Sequence, residues 1–479
     1  MQNYKMLIGG QWTDALSGET FDVINPYTGK VYAKVPKAGI EDVDRVMSAA
    51  YEARKGWAAT PALERAKIIY KAAQILEENQ QEFADVLIDE GGSAFGKAMF
   101  EIASAIDLLI TASGDCKRIF GETFHTDPTK LSMSLRKPRG TIVTFTPWNF
   151  PLVLSLYKVA YGVATGNTVV LKPSSETPVI CLKIGELFEK AGIPDGVVNV
   201  ITGPGGALGD ALIEDKRCSF VAITGSTETG RHVAETAAAH LKEYYLELGG
   251  KNPVVVLGDA DVEYAAKVVA FSAFIHQGEV CMSTDRVIVE ESIVEEFTEK
   301  LINIVSNMPV GDPRKPETFF GPIISDNQLK IIHELVEDAV TKGAKLHTGG
   351  KYKDRLYQPT VLSNINKDMK IYYEETFGPV TSIIPVKDEK EAAEVANDTN
   401  YGLSAGVVTQ DIEKALFLAE NIDAGMVHVN NGSIDADAVV PFGGVKESGV
   451  GREGGEYSIR EFTEVKWVTM QKEKMQFPF

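Results

Sequence analysis

The stretch that decides the fold is CSFVAITGSTETG, residues 218–230. An apolar, β-branched run over 218–224 stops at Gly225, and helix-forming residues follow from Ser226. Strand, glycine turn, helix is the unit of a parallel sheet, because a parallel neighbour is reached only through a crossover. The unit recurs upstream in GTIVTFTPWN (140–149), GNTVVLKPSSETP (166–178) and GVVNVITGPGG (196–206). The predicted fold class is therefore α/β, with a doubly wound, Rossmann-like parallel sheet. Ligands of such sheets sit beyond the carboxyl ends of the strands, where TPWN, KPSS, GPGG and GSTETG fall.

Outward from this core the alternation continues. From residue 41 to about 118, apolar residues recur at three- and four-residue steps, which predicts a helical layer. NPVVVLGDADVEYAAKVVAFSAF (252–274) begins a second α/β alternation, with strands expected in LYQPTVLSNI (356–365), TSIIPV (381–386) and SAGVVTQD (404–411). Two strand-like pieces, KLSMSLRKPRG (130–140) and FTEVKWVTMQ (462–471), fit neither alternation. The expected division is a first α/β domain over 1–118 and 140–248, a second over 249–445, and separate strands over 120–139 and 460–479.

The chain has 479 residues, enough for two or three domains, with 44% hydrophobic and 24% charged residues. Its net charge of −19 leaves no basic surplus for a nucleic-acid backbone. No apolar run approaches the roughly 20 residues of a membrane span. The N-terminus MQNYKMLIGGQW lacks a signal-peptide layout, so a cytoplasmic location is expected. The four cysteines, Cys116, Cys181, Cys218 and Cys281, lie far apart without a CxxC pair, which argues against a disulfide framework or a metal site.

Cys281 stands out in AFSAFIHQGEVCMSTDRVIVEE (270–291), three residues past a glycine that ends a helical run and just before a strand. A cysteine there is either a small core residue or a nucleophile. Glu247 sits in an apolar strand ahead of two glycines; it reads as a surface glutamate or as a base whose pKa is raised by burial. Asn149, held between an aromatic residue and a proline turn, is a turn residue or a donor to an oxyanion. Gly225 and Gly230 bracket a helix start suited to a phosphate, although their spacing is not GxGxxG.

Taken together and in order, TPWNFP (146–151), LKPSSETP (171–178), TGSTETG (224–230), LELGGKNP (246–253), QGEVC (277–281), EETFGP (374–379) and PFGGVKESGVGRE (441–453) resemble the aldehyde dehydrogenase superfamily. The resemblance runs from about residue 7 to about residue 470, and it implies that the domain over 1–118 and 140–248 is dinucleotide-binding, that the one over 249–445 is catalytic, and that 120–139 and 460–479 are oligomerisation strands. It implies that Cys281 is the nucleophile, that Asn149 and the Cys281 backbone N–H form the oxyanion hole, and that Glu247 is the deacylating base. It also implies a proton relay through Lys158 and Glu456. For a nicotinamide cofactor it implies Thr146, Pro147, Trp148 and Asn149 beside the nicotinamide ribose and pyrophosphate. Gly205, Gly225, Ser226, Thr229, Gly230 and Leu248 complete that part of the site. Glu375 and Phe377 fall at the nicotinamide, and Lys172 and Ser175 at the adenine ribose.

NAD-preferring members often carry a glutamate three residues after that lysine; here the position is Ser175, with Glu176 next to it. A carboxylate repels a 2′-phosphate and a serine does not, so NADP is favoured over NAD. The aldehyde tunnel implied by the resemblance is apolar: Phe150, Leu154, Tyr157, Val280, Met282, Ala436 and Phe442. Together with HQGEVCMSTDRVIV (276–289) and GGSAFGKA (91–98) it looks most like the benzaldehyde and vanillin dehydrogenase branch. The expected partners are a small-molecule aldehyde and further copies of the chain, as a homodimer or homotetramer built through the two unassigned strands. The rival readings are a semialdehyde dehydrogenase, a CoA-acylating aldehyde dehydrogenase, and a non-catalytic structural relative.

Overall fold

The computed structural model describes residues 2–479. An eight-stranded sheet runs in the order Gly449–Val450, Glu243–Glu247, Cys218–Thr224, Thr141–Thr146, Thr168–Pro173, Val198–Val200, Met6–Ile8, Gln11–Thr13. Its five middle strands, from Glu243–Glu247 to Val198–Val200, are parallel. The outer strands join antiparallel. From Thr141–Thr146 the chain steps to one side and then returns to the other, so the switch point lies between that strand and Cys218–Thr224. TPWN and GSTETG follow these two strands and flank the crevice.

Helices Pro151–Ala164 and Pro178–Ala191 each open on a proline, whose fixed φ suits a first turn and whose missing N–H leaves no orphan donor there. All fourteen residues of Pro151–Ala164 are buried, which explains why the segment is apolar apart from Ser155 and Lys158. It is covered by the Phe95–Asp115 helix, one of four helices that fill 40–115.

The second sheet has seven strands in the order Lys345–Thr348, Thr360–Ser363, Val380–Val386, Thr284–Glu290, Asn252–Val256, Ser404–Val408, Met426–Val429, parallel except at the Lys345–Thr348 edge. The two unassigned pieces pair with each other: Thr463–Gln471 lies antiparallel to Lys130–Pro138 over nine residues, in a three-stranded sheet. After the second sheet the chain returns to the first, where Gly449 lies opposite Glu247. No helix among the described residues is long and apolar enough to cross a membrane.

Candidate active site

Cys281 is placed by an unusual turn. His276, Gln277 and Gly278 take φ of 50°, 46° and 68°, a left-handed run that swings the chain off the Val262–Phe274 helix. A Cβ on Gly278 would lie 2.1 Å from the Gly378 carbonyl oxygen, so only glycine fits. Left-handed residues other than glycine cost on the order of 1–3 kcal/mol each, and the surroundings hold these two. Gln277 is buried and donates to the Pro322 carbonyl (2.8 Å) and the Glu279 carboxylate (2.9 Å). Asn252 donates to the carbonyls of Cys281 and Ser283, each at 2.9 Å.

The two glycines after Glu247 now have a reason. A Cβ on Gly249 would meet the Glu375 carboxylate at 2.3 Å, and one on Gly250 the Cys281 carbonyl at 2.6 Å. Gly250 also donates its N–H to Glu375 at 2.9 Å. The Glu247 strand, the Cys281 loop and Glu375 therefore close on one another without side chains between them.

Glu247 ends its strand fully buried, and neither carboxylate oxygen has a hydrogen-bond partner among the described residues. Burial, and then the Glu453 carboxylate, push it up to about 8 against the pull of Lys158. Burial, followed by the carboxylates of Glu247 and Glu375, lifts the Cys281 thiol well above its usual value. A thiol so placed ionises only by handing its proton to a neighbouring base. Asn149 is 3% exposed, and its side-chain oxygen is buried without a partner among the described residues.

Lys158 meets a different carboxylate from the one expected. Its ammonium lies 3.1 Å from Glu453, both side chains being out of solvent. Glu456 stands on the surface, 70% exposed, paired with Arg460. The expectation for Glu456 is thus corrected to Glu453. The glycines between and around these residues turn the chain so that Glu453 points inward and Glu456 begins a short external helix.

A cleft of about 900 Å³ runs from Cys281 and Glu247 across the carboxyl ends of the first sheet. It is lined by Thr146, Pro147, Trp148, Asn149, Lys172, Ser175, Gly205, Gly225, Ser226, Thr229, Glu375 and Phe377, all expected from the sequence. Gly230 and Leu248 lie outside this lining. They pack on each other, a Cβ on Gly230 falling 2.3 Å from Leu248, so these two set the approach of helix to strand. Thr224, at the head of the TGSTETG motif, also lines the cleft, as do His232 and Gln328, which carried no motif in the sequence. Gln328 donates to the Phe377 carbonyl at 2.9 Å and fixes that residue's left-handed turn, which brings its ring 5.3 Å from Trp148, edge to face.

The lining fits a dinucleotide. Lys172 is buried with no ion-pair or hydrogen-bond partner among the described residues, and burial lowers it to about 8, as for an ammonium awaiting acceptors. The Thr227–Ala239 helix opens on the cleft with Ser226 as its cap, the side chain accepting from the Thr229 N–H. The helices after the TPWN and KPSS turns are closed to phosphate. Buried Glu101 accepts from Leu152 and Val153 at 2.8 and 3.2 Å, and buried Glu90 from Val179 and Ile180 at 2.9 and 2.7 Å. Of these three helix starts, only the one at Ser226 is left to take a pyrophosphate.

On its other side Cys281 packs with Ile275, Val280, Met282, Leu403, Met426 and Phe442, against which Phe150 and Ile434 lie. Leu154 and Tyr157 belong to the neighbouring core. Ala436 is exposed, and Ile434, two residues earlier, occupies the cluster in its stead.

A cleft that fits a dinucleotide and an apolar cluster, meeting at a buried cysteine and glutamate, point to an oxidoreductase that works through a thiol. A model described as the aldehyde dehydrogenase family matches residues 12–468, and the chain belongs to that family. It is similar to a vanillin dehydrogenase of Corynebacterium glutamicum, 42% identical over 98% of both chains. It is 38% identical to a benzaldehyde dehydrogenase [NAD(+)] of Pseudomonas putida over 99% of this chain and 98% of that one. The crystal structure of a salicylaldehyde dehydrogenase from Pseudomonas putida G7, complexed with salicylaldehyde, superposes with a TM-score of 0.98 at 38% identity over all of both chains. The protein is an aldehyde dehydrogenase: it oxidises an aldehyde to the carboxylic acid with a nicotinamide cofactor.

Proposed function

We propose that the substrate is an aromatic aldehyde, held against the apolar cluster of Phe150, Val280, Met282, Ile434 and Phe442 beside Cys281. The names of the three relatives support this reading. The observation that carries it is the position of Cys281, which lines the dinucleotide cleft together with Glu247 and packs in that apolar cluster.

Each residue then has a task. Glu247, held near 8, takes the thiol proton of Cys281, and the sulfur adds to the aldehyde carbon to give a thiohemiacetal on Cys281. The Asn149 side-chain amide and the Cys281 backbone N–H hold the oxyanion, a donor set whose loss typically reduces kcat by about 10²–10³-fold. Hydride acceptance is the chemistry the bound nicotinamide supplies. Glu247 gives the thiol proton up towards Lys158 and Glu453, and the freed carboxylate then takes one from water, which attacks the thioester and releases the acid. Lys158 and Glu453 carry that proton away from the base. Lys172 and Ser175 hold the adenine ribose, Ser226 and Thr229 the pyrophosphate, and Glu375 and Phe377 the nicotinamide end. Ser175, in place of a carboxylate, favours NADP.

The enzyme is proposed to work in the cytoplasm as a homodimer or homotetramer. The expected division at residues 118, 140, 248 and 445 is retained as a functional one. The buried Glu247 beside Cys281 speaks against CoA-acylating and idle readings, because it places a water-activating base at the nucleophile. Turnover of benzaldehyde, vanillin, salicylaldehyde, succinic semialdehyde and aliphatic aldehydes, each with NAD and NADP, tests the proposal. Highest kcat/KM on the aromatic members supports it; highest kcat/KM on the semialdehyde overturns it. Cys281→Ala is expected to abolish turnover and leave cofactor binding intact.

A further inference from the structure

Lys97 and Glu101 form an ion pair of 2.6 Å, 1% and 0% exposed, one turn apart on the Phe95–Asp115 helix. All three N–H bonds of the ammonium are engaged: with Glu101, with the Ser93 hydroxyl at 3.2 Å, and with the backbone carbonyl of Asn149 at 2.6 Å, 52 residues away. The second Glu101 oxygen accepts from the N–H groups of Leu152 and Val153, just after Asn149. Lys97 also stands 4.1 Å from the Phe150 ring centre. The pair therefore grips the turn carrying Asn149 from both ends, by its carbonyl and by the helix start three residues on.

Asn149 needs such a grip. It precedes a helix whose cap position, Phe150, has φ −124° and ψ 61°, outside helix and strand. Its side-chain oxygen has no partner among the described residues, so no hydrogen bond there steers the amide. The aim of the amide is set by the backbone beneath it, and the backbone is held by Lys97. A buried ion pair is weak evidence of stability, since packed apolar residues commonly do as well, and what it supplies here is a fixed geometry.

We propose that Lys97 and Glu101 are positioning residues for the oxyanion donor, acting on the reaction only through Asn149. The inference rests on the oxyanion role proposed for Asn149, and the test separates the two. The probe is acylation of Cys281 by p-nitrophenyl acetate without cofactor. The sulfur bonds to the acyl carbon, the proton of the thiol goes to Glu247, and p-nitrophenolate leaves. This passes through the same kind of oxyanion with no hydride transfer.

The double variant Lys97→Met with Glu101→Gln removes both charges together and leaves no unpaired one buried. It is expected to lower the acylation rate about 10- to 100-fold, within the range for a misplaced oxyanion donor. Its affinity for NAD and NADP is expected to stay within twofold of wild type. Asn149→Ala is expected to lose more, and the triple variant no more than Asn149→Ala alone, because a positioning effect vanishes with the group positioned. If the losses multiply, or the double variant acylates at the wild-type rate, the positioning role is overturned. If Asn149→Ala acylates normally, the oxyanion reading itself fails. Should the double variant not fold, Lys97→Arg, which keeps the charge and shifts the donor, goes through the same cycle with the same criteria.

Discussion

Lys158 and Glu453 are bound at 3.1 Å in complete burial, and both act electrically on Glu247, with opposite signs. Glu453 raises the base and Lys158 lowers it, so the pair tunes the pH at which Glu247 can accept a proton. The rising limb of kcat against pH is expected to move to lower pH in Glu453→Gln and to higher pH in Lys158→Met. The second variant is also expected to lose about 3–5 kcal/mol of stability, the usual effect of stranding one member of a buried pair. Shifts in the same direction for both would remove this pair from control of the base.

Glu247→Gln is expected to give a burst of reduced cofactor followed by little steady turnover, because the thioester forms and water is no longer activated. Failure of acyl-enzyme to accumulate on mixing would assign the base role elsewhere.

The same substitution has a stability signature. The folded carboxyl is held near 8, above the value of about 4.3 for a free glutamate. Between these two values the unfolded chain releases the proton and the folded chain keeps it. Wild-type stability therefore falls as pH rises through that window and levels off above 8. Glu247→Gln removes one such loss, so its Tm advantage over wild type is expected to grow from pH 5 to pH 8.5. Glu90, Glu279 and Glu375, also buried and near 8, keep part of the decline in both proteins. A gap that narrows with pH would contradict this.

Ser175 lines the cleft and donates to the Gly203 carbonyl at 3.3 Å, with Lys172 unpaired nearby. Ser175→Glu is expected to weaken NADP by about 2 kcal/mol or more through like-charge contact with the 2′-phosphate, and to spare NAD. Glu176, next in the chain, lines the same cleft and is a competing carboxylate. A wild-type kcat/KM for NAD more than tenfold above that for NADP would show that Glu176, not Ser175, sets the preference.

The Thr463–Gln471 strand is an edge, with Val465, Trp467 and Met470 exposed by 62%, 68% and 51%. An open edge bearing apolar side chains invites a further strand, and in a homo-oligomer a second copy supplies it. Sedimentation is expected to show a multiple of 52.1 kDa, and Trp467→Glu to reduce it. A wild-type monomer at micromolar concentration refutes the assembly.

Much of this was legible in the chain because strand, turn and helix are local signals. The runs ending at Thr146, Pro173 and Thr224 carry their own period and their own stops, so sheet and cleft follow from short windows. Glu453 and Glu456 were indistinguishable for the opposite reason. Gly449, Gly451, Gly454 and Gly455 all take positive φ, and a chain turning four times in seven residues has no periodicity to show which carboxylate faces inward. Lys97 and Glu101 resemble an ordinary solvated pair one turn apart. Only the distant TPWN turn folding onto them makes them buried, and no spacing encodes a contact across 52 residues.

Gly449–Val450 covers the open side of the Glu247 strand, and it is made about two hundred residues after it. At the ribosome's pace of roughly 5–20 residues per second, the strand bearing the base waits about 10–40 s for its outer neighbour. Throughout that interval the growing polypeptide presents a hydrogen-bonding rim with no mate. A transcript cut short after Cys281, or anywhere before Gly449, yields a product that holds both nucleophile and base yet lacks the piece that closes the rim. Competence in this enzyme arrives almost at the end of translation.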